Sequence, residues 1–155
     1  MAWSNSKVFM ATIEDIFENT TAMDANTDSF KAALFDNDIT PSQTVTSANT
    51  AFGAGQWVSA GNEVFDGANW PTGGVALTVT SGFSSNVYTF DASDIVSPGA
   101  ATLANVYGML VYDDSLAAPV ADQGLSYHYF GGAQAVTAGT FTVVINASGL
   151  IQLTA

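Results

Sequence analysis

Apolar and polar positions change their period along this chain, and the change divides it in two. In residues 7–18 (KVFMATIEDIFE), Val8, Phe9, Ile13, Ile16 and Phe17 recur near a 3.6-residue repeat, with Glu14, Asp15 and Glu18 opposite them. That spacing predicts an amphipathic helix, with Ser6 placed to cap its start. Residues 19–28 (NTTAMDANTD) are turn chemistry, because Asn, Asp and Thr bond back to local backbone. Residues 29–35 (SFKAALF) fit a short helix or a buried strand; the strand is favoured because Asp36-Asn37-Asp38 and then Pro41 close the run. Residues 42–62 are small and polar, with Gly53, Gly55 and Gly61. They predict a long connection that Phe52 and Trp57 pin to the core.

The second half follows the two-residue period of half-buried strands. Strands are predicted over residues 75–80 (VALTVT), 87–92 (VYTFDA), 103–114 (LANVYGMLVYDD), 125–130 (LSYHYF), 140–147 (TFTVVINA) and 150–154 (LIQLT). The nearly continuous apolar run over 103–114 marks a central strand. Ser148-Gly149 is a tight turn before the last strand. The spacing predicts a mainly β chain, an antiparallel β-sandwich or barrel-like domain with one short N-terminal helix. It forms one domain over residues 1–155, with no internal repeat or linker.

Charge narrows the possible partners. Two lysines, Lys7 and Lys31, and no arginine face 14 acidic residues, for a net charge of −12. A nucleic-acid surface needs several cations to replace counterions, and an anionic membrane makes the same demand. Neither partner is expected. Charged residues are 10% of the chain, against about 25% in ordinary soluble proteins. So few charges suit faces that lie against other subunits. No apolar run approaches the ~20 residues of a membrane helix, and the opening MAWSNSKVFMATIED lacks the pattern of a secretory signal. With no cysteine, thiol chemistry and Cys-based zinc sites are excluded.

Candidate chemistry is sparse. The single histidine, His128, stands between Tyr127 and Tyr129 with no nucleophile apparent in the local sequence, so a packed or interfacial strand histidine is expected. Asp113-Asp114 with Asp91 or Asp94, or Asp36-Asn37-Asp38, supply oxygens of the kind calcium prefers. Neither run has the spacing of a fixed calcium loop, and Asp-rich strand ends are ordinarily turns. Gly73-Gly74 and Gly131-Gly132 lack the lysine and following helix of a phosphate loop, and read as turns or bulges. No catalytic residue, cofactor or metal is expected. Surface aromatics are the remaining feature. Phe52, Trp57, Trp70, Tyr127, His128 and Tyr129 are the expected interface residues, and Trp57, Trp70 or Tyr127 suit sugar stacking.

Several segments occur in a recognisable order: TDSFKAALF at 27–35, a Thr40-Pro41 turn, WPTGGVAL at 70–77, FDASD at 90–94, YDD at 112–114, and YFGGAQAVTAGTFTV at 129–143. This order resembles a family of small virion structural proteins of tailed bacteriophages, over residues 27–153 and less closely across 42–62. The resemblance implies a non-catalytic head or tail component. A capsid decoration protein is expected first, with a minor tail or collar protein, or a carbohydrate-binding adhesion module, as the alternatives. It implies the major capsid protein or other virion subunits as partners and a homo-oligomer. The location it implies is the virion, assembled in the host cytoplasm.

Overall fold

The computed structural model describes residues 3–155. Strand β1 (Lys7–Val8) runs directly into helix α1 (Met10–Glu18). Strand β2 (Phe30–Phe35) follows, then two single turns of helix, α2 (Ser47–Thr50) and a kinked α3 (Ser59–Asn62). Next come β3 (Glu63–Val64), β4 (Val75–Ala76), β5 (Val79–Ser84), β6 (Val87–Ala92) and β7 (Ile95–Val96). The chain ends with the long strands β8 (Ala101–Asp113) and β9 (Gly124–Gly139), then β10 (Thr142–Val143) and β11 (Ile151–Thr154).

The chain is mainly β, and all of its sheets are antiparallel. The main sheet has the order β1-β9-β8-β2-β3, with β4 also paired to β2. Two smaller sheets, β11-β6-β5 and β10-β7, accompany it. Alternation along β2 sorts the interior. Phe30, Ala32 and Leu34 point to one face, where Met109 and Val111 of β8 meet Phe90, Ile95, Val143 and Ile151 of the smaller sheets. Ala33 and Phe35 point to the other face with Leu110, Tyr112 and Tyr127. Trp3, Phe9, Ile39 and Trp57 cover that second face, so the N-terminal segment and the long connection form its lid. The main sheet is buried on both sides in a sandwich-like stack. This explains why β8 reads as an almost unbroken apolar run.

Four elements differ from the sequence-based expectation by more than two residues or in their pairing. The helix loses its first residues because Lys7 and Val8 pair with Tyr127 and Ser126. Ser6 is therefore not its cap; the Ser6 hydroxyl accepts the Tyr129 N–H at 3.0 Å. The expected strand 75–80 splits into β4 and β5, since β4 joins β2 whereas β5 joins β6. Strand β9 runs to Gly139 rather than stopping near Phe130, held by its pairing with β8. The strand expected over 140–147 shrinks to the two residues of β10.

Candidate functional site

The aromatic residues expected at an interface divide by depth. Trp57, Trp70 and Tyr127 are core residues, at most 2% exposed. Trp57 packs edge-on to Phe35 at 5.1 Å and Trp70 edge-on to Phe141 at 5.6 Å. Their expected role as surface contacts is corrected, because rings closed in by the protein cannot touch a partner or stack on a sugar. Truncating one would cost about 3–5 kcal/mol through the cavity left behind, so lost function in such a variant would report unfolding. Phe52 is half-buried and stacks on Tyr112 at 5.1 Å. Tyr129 is half-buried and stacks on Trp3 at 6.3 Å. Phe52, His128 and Tyr129 alone keep part of their surface in reach of solvent.

His128 has a partner that the sequence reading missed. The Ser126 hydroxyl lies 2.9 Å from its Nε2, because residues two apart on a strand share a face. Burial pushes the imidazole pKa down to about 4, so the ring is neutral at physiological pH. Ser126 is fully buried. The pair thus satisfies two polar groups beneath β1 and offers no open nucleophile. Among the described residues, no three His, Asp or Glu side chains come close enough to hold a metal ion. Asp36 accepts the N–H of Asp38 at 2.9 Å, a local turn.

The segments in which the resemblance was found do structural work here. The turn at residues 71–74 is closed by the Gly74 N–H to the Pro71 carbonyl at 2.8 Å. Gly74 has φ +84°, and a Cβ there would collide with the Ala32 backbone. Beside it, the Gly73 N–H donates to buried Glu63 Oε1 at 2.6 Å, and the Tyr112 hydroxyl donates to the Gly73 carbonyl at 2.7 Å. Burial raises the pKa of both Glu63 and Tyr112. Asp113 caps the end of β8: its Oδ1 accepts the Ser115 N–H, the Ser115 hydroxyl and the Leu116 N–H. Its Oδ2 is buried without a donor. Burial first, and the neighbouring Asp28 carboxyl second, push the Asp113 pKa up. Asp114 pairs with Lys31 at 2.8 Å.

Two surfaces remain without such internal duties. The first is the outer edge of β9. The far edge of β2 is covered by β3 and β4, whereas β1 covers β9 only at Ser126 and Tyr127. Past Tyr129, no described strand pairs with β9 on that side, although the strand continues for ten more residues, 130–139. Natural edges are shortened, charged or interrupted by proline to prevent pairing with another chain. After Phe130 this one is Gly, Ala, Gln, Val and Thr, kinked by Gly131 at φ +81° and Ala138 at φ +48°. The charge map isolates it further. All 14 acidic residues lie between Glu14 and Asp122 and both lysines lie earlier than residue 32, so residues 123–155 carry no Asp, Glu, Lys or Arg.

The second surface is an apolar groove of about 570 Å³ between α1 and the inner face of the β11-β6-β5 sheet. Phe30, Phe90, Leu125 and Ile151 form its floor, and Ile16, Phe17, Tyr88 and Leu153 its walls. The sequence pattern placed Ile16 and Phe17 on the helix stripe, but the opposite wall comes from residues 81–90 and 151–153, which only the fold brings there.

No protein-family model matches this chain, and no curated protein or solved structure matches it.

Proposed function

We propose that this chain is a non-catalytic structural subunit of a tailed-phage particle, a capsid decoration protein that binds the head surface and its like neighbours through protein–protein contacts. The observation that carries the proposal is the long, uncovered, charge-free edge of β9 on a chain of net charge −12. Acidic subunits repeated closely around a particle repel one another. They need a contact zone in which like charges do not meet, and symmetric copies then multiply many shallow contacts. The segment order that resembles tailed-phage virion proteins supports the same reading. A minor tail or collar role would use the same edge and differ in copy number. The carbohydrate-binding reading loses its support, because Trp57, Trp70 and Tyr127 lie inside the core.

Quantitative mass spectrometry of purified phage particles, scaled to the major capsid protein, tests this. A copy number comparable with the capsid protein is expected for decoration. A few copies per particle would move the protein to the collar or tail, and absence from particles would overturn the virion reading.

A further inference from the structure

The outer edge of β9 dictates the kind of partner it takes. A sheet edge offers a row of backbone N–H and C=O groups, and another strand is what completes such a row. The covered part of β9 ends where the Ser6 hydroxyl meets the Tyr129 N–H. Residues 130–139 continue with no described strand beyond them. Gly131 at φ +81° and Ala138 at φ +48° flank a regular stretch, residues 133–137. Side chains there alternate between faces. Gln134 and Val136 stand opposite buried Val106 and Leu103 of β8 and share their face. Ala133, Ala135 and Thr137 stand on the other face, exposed and small, so no bulky group obstructs a strand laid alongside.

Charge and symmetry select which strand. Strand β8, the inner neighbour of this edge, carries no Asp, Glu, Lys or Arg before Asp113, and residues 123–155 carry none. A basic partner strand gains no ion pair at such an edge. A second copy of this chain, at net charge −12, can approach there without setting carboxylates against carboxylates. The edges of the smaller sheet suit this less well. Strand β5 has six residues and sets Thr80 beside Asp91, and β11 has only four residues. An antiparallel edge is also complementary to itself, because a two-fold rotation brings each outward N–H to a C=O of its counterpart. We propose that β9 pairs with β9 of a second copy, antiparallel about a two-fold axis within residues 133–137, so that the two main sheets join into one. This rests on the reading of the edge as the contact between like subunits, and it adds the partner strand and the symmetry.

The chain has no cysteine, so a single introduced cysteine can cross-link only to its own counterpart in another copy. The test places one in the full-length chain at each of five positions in turn: Ala133→Cys, Gln134→Cys, Ala135→Cys, Val136→Cys and Thr137→Cys. Gly82→Cys in β5, where an added side chain meets open space, is the control on another edge. Each variant is checked for folding by circular dichroism and oxidised at high salt, and the disulfide-linked dimer is measured on non-reducing gels. The two-fold pairing sets one residue opposite itself, with Cα atoms about 4.5–5.5 Å apart, within disulfide reach. A residue two places off the axis lies ~13 Å along the strand from its counterpart. The expected result is one maximum within residues 133–137, with cross-linking lost to the level of Gly82→Cys two residues away. A flat profile would mean parallel pairing or random collision and would overturn the proposal. So would cross-linking at none of the five, or a maximum at Gly82→Cys. The virion copy number is measured on uncross-linked particles. Absence from particles beside a single maximum would therefore sink the virion reading and keep the pairing, and abundance on particles beside a flat profile would do the reverse.

Discussion

At the residue scale, Asp113 concentrates the chemistry that the fold has to manage. It is fully buried, with one oxygen accepting three hydrogen bonds and the other facing Asp28 without a donor. Its pKa is raised in the folded state. A raised pKa means that the stability due to its protonated form is present below the ordinary carboxylate range and is lost as pH rises through the folded value. Asp113→Asn keeps the accepting oxygen and turns the bare one into a donor toward Asp28. The variant is expected to be more stable than wild type at neutral pH by about 1–3 kcal/mol, and the gap should close near about pH 4. Urea unfolding at both pH values checks this; a gap independent of pH would contradict it. His128 behaves oppositely. Its depressed pKa, about 4, keeps it neutral across the physiological range.

At the element scale, β4 shows how one turn sets a sheet edge. Gly74 lets β4 approach β2 where a side chain would strike the Ala32 carbonyl. Gly74→Ala is expected to lose more than about 1 kcal/mol. By contrast, Gly82→Ala in β5, where an added methyl meets open space, should be neutral or slightly stabilising. Thermal unfolding of the two variants separates a steric effect from a general intolerance of substitution. The strands that were legible in the sequence are those with a clean period. Residues 87–92 alternate, and β6 has those bounds; the apolar run of β8 marks a strand covered on both faces. The hidden elements lacked a period. Val8 fits the helical stripe and yet belongs to β1, because Tyr127 and Ser126 lie beside it. The outer part of β9 past Phe130 is Gly, Ala, Gln and Thr with a single Val136, and its strand character comes from pairing with β8. Trp57 stood in a polar connection, expected both as the ring that pins it to the core and as a contact residue; the first expectation holds. That connection folds back over Phe35 and Leu110, which makes the ring core.

At the scale of the whole molecule, charge and topology are segregated together. The acidic residues gather in the first 122 positions, while the last 33 (155 − 122) form a charge-free stretch containing the longest strand and its uncovered edge. The charge-free stretch is written in the sequence itself, whereas the uncovered edge it forms appears only with the sheet order. Net charge −12 opposes association at long range, and salt screens that repulsion while leaving backbone pairing intact. Self-association is therefore expected to strengthen with added salt. The most direct measurement is sedimentation velocity of the wild-type chain and Ala135→Lys across protein concentration at high salt. Ala135 is exposed in the uncovered part of β9, so a lysine there should leave folding intact. A wild type that associates with rising concentration, beside a variant that stays monomeric, is the predicted result. A wild type that remains monomeric throughout, or a variant that associates equally well, would contradict the claim that this edge is where the subunits meet.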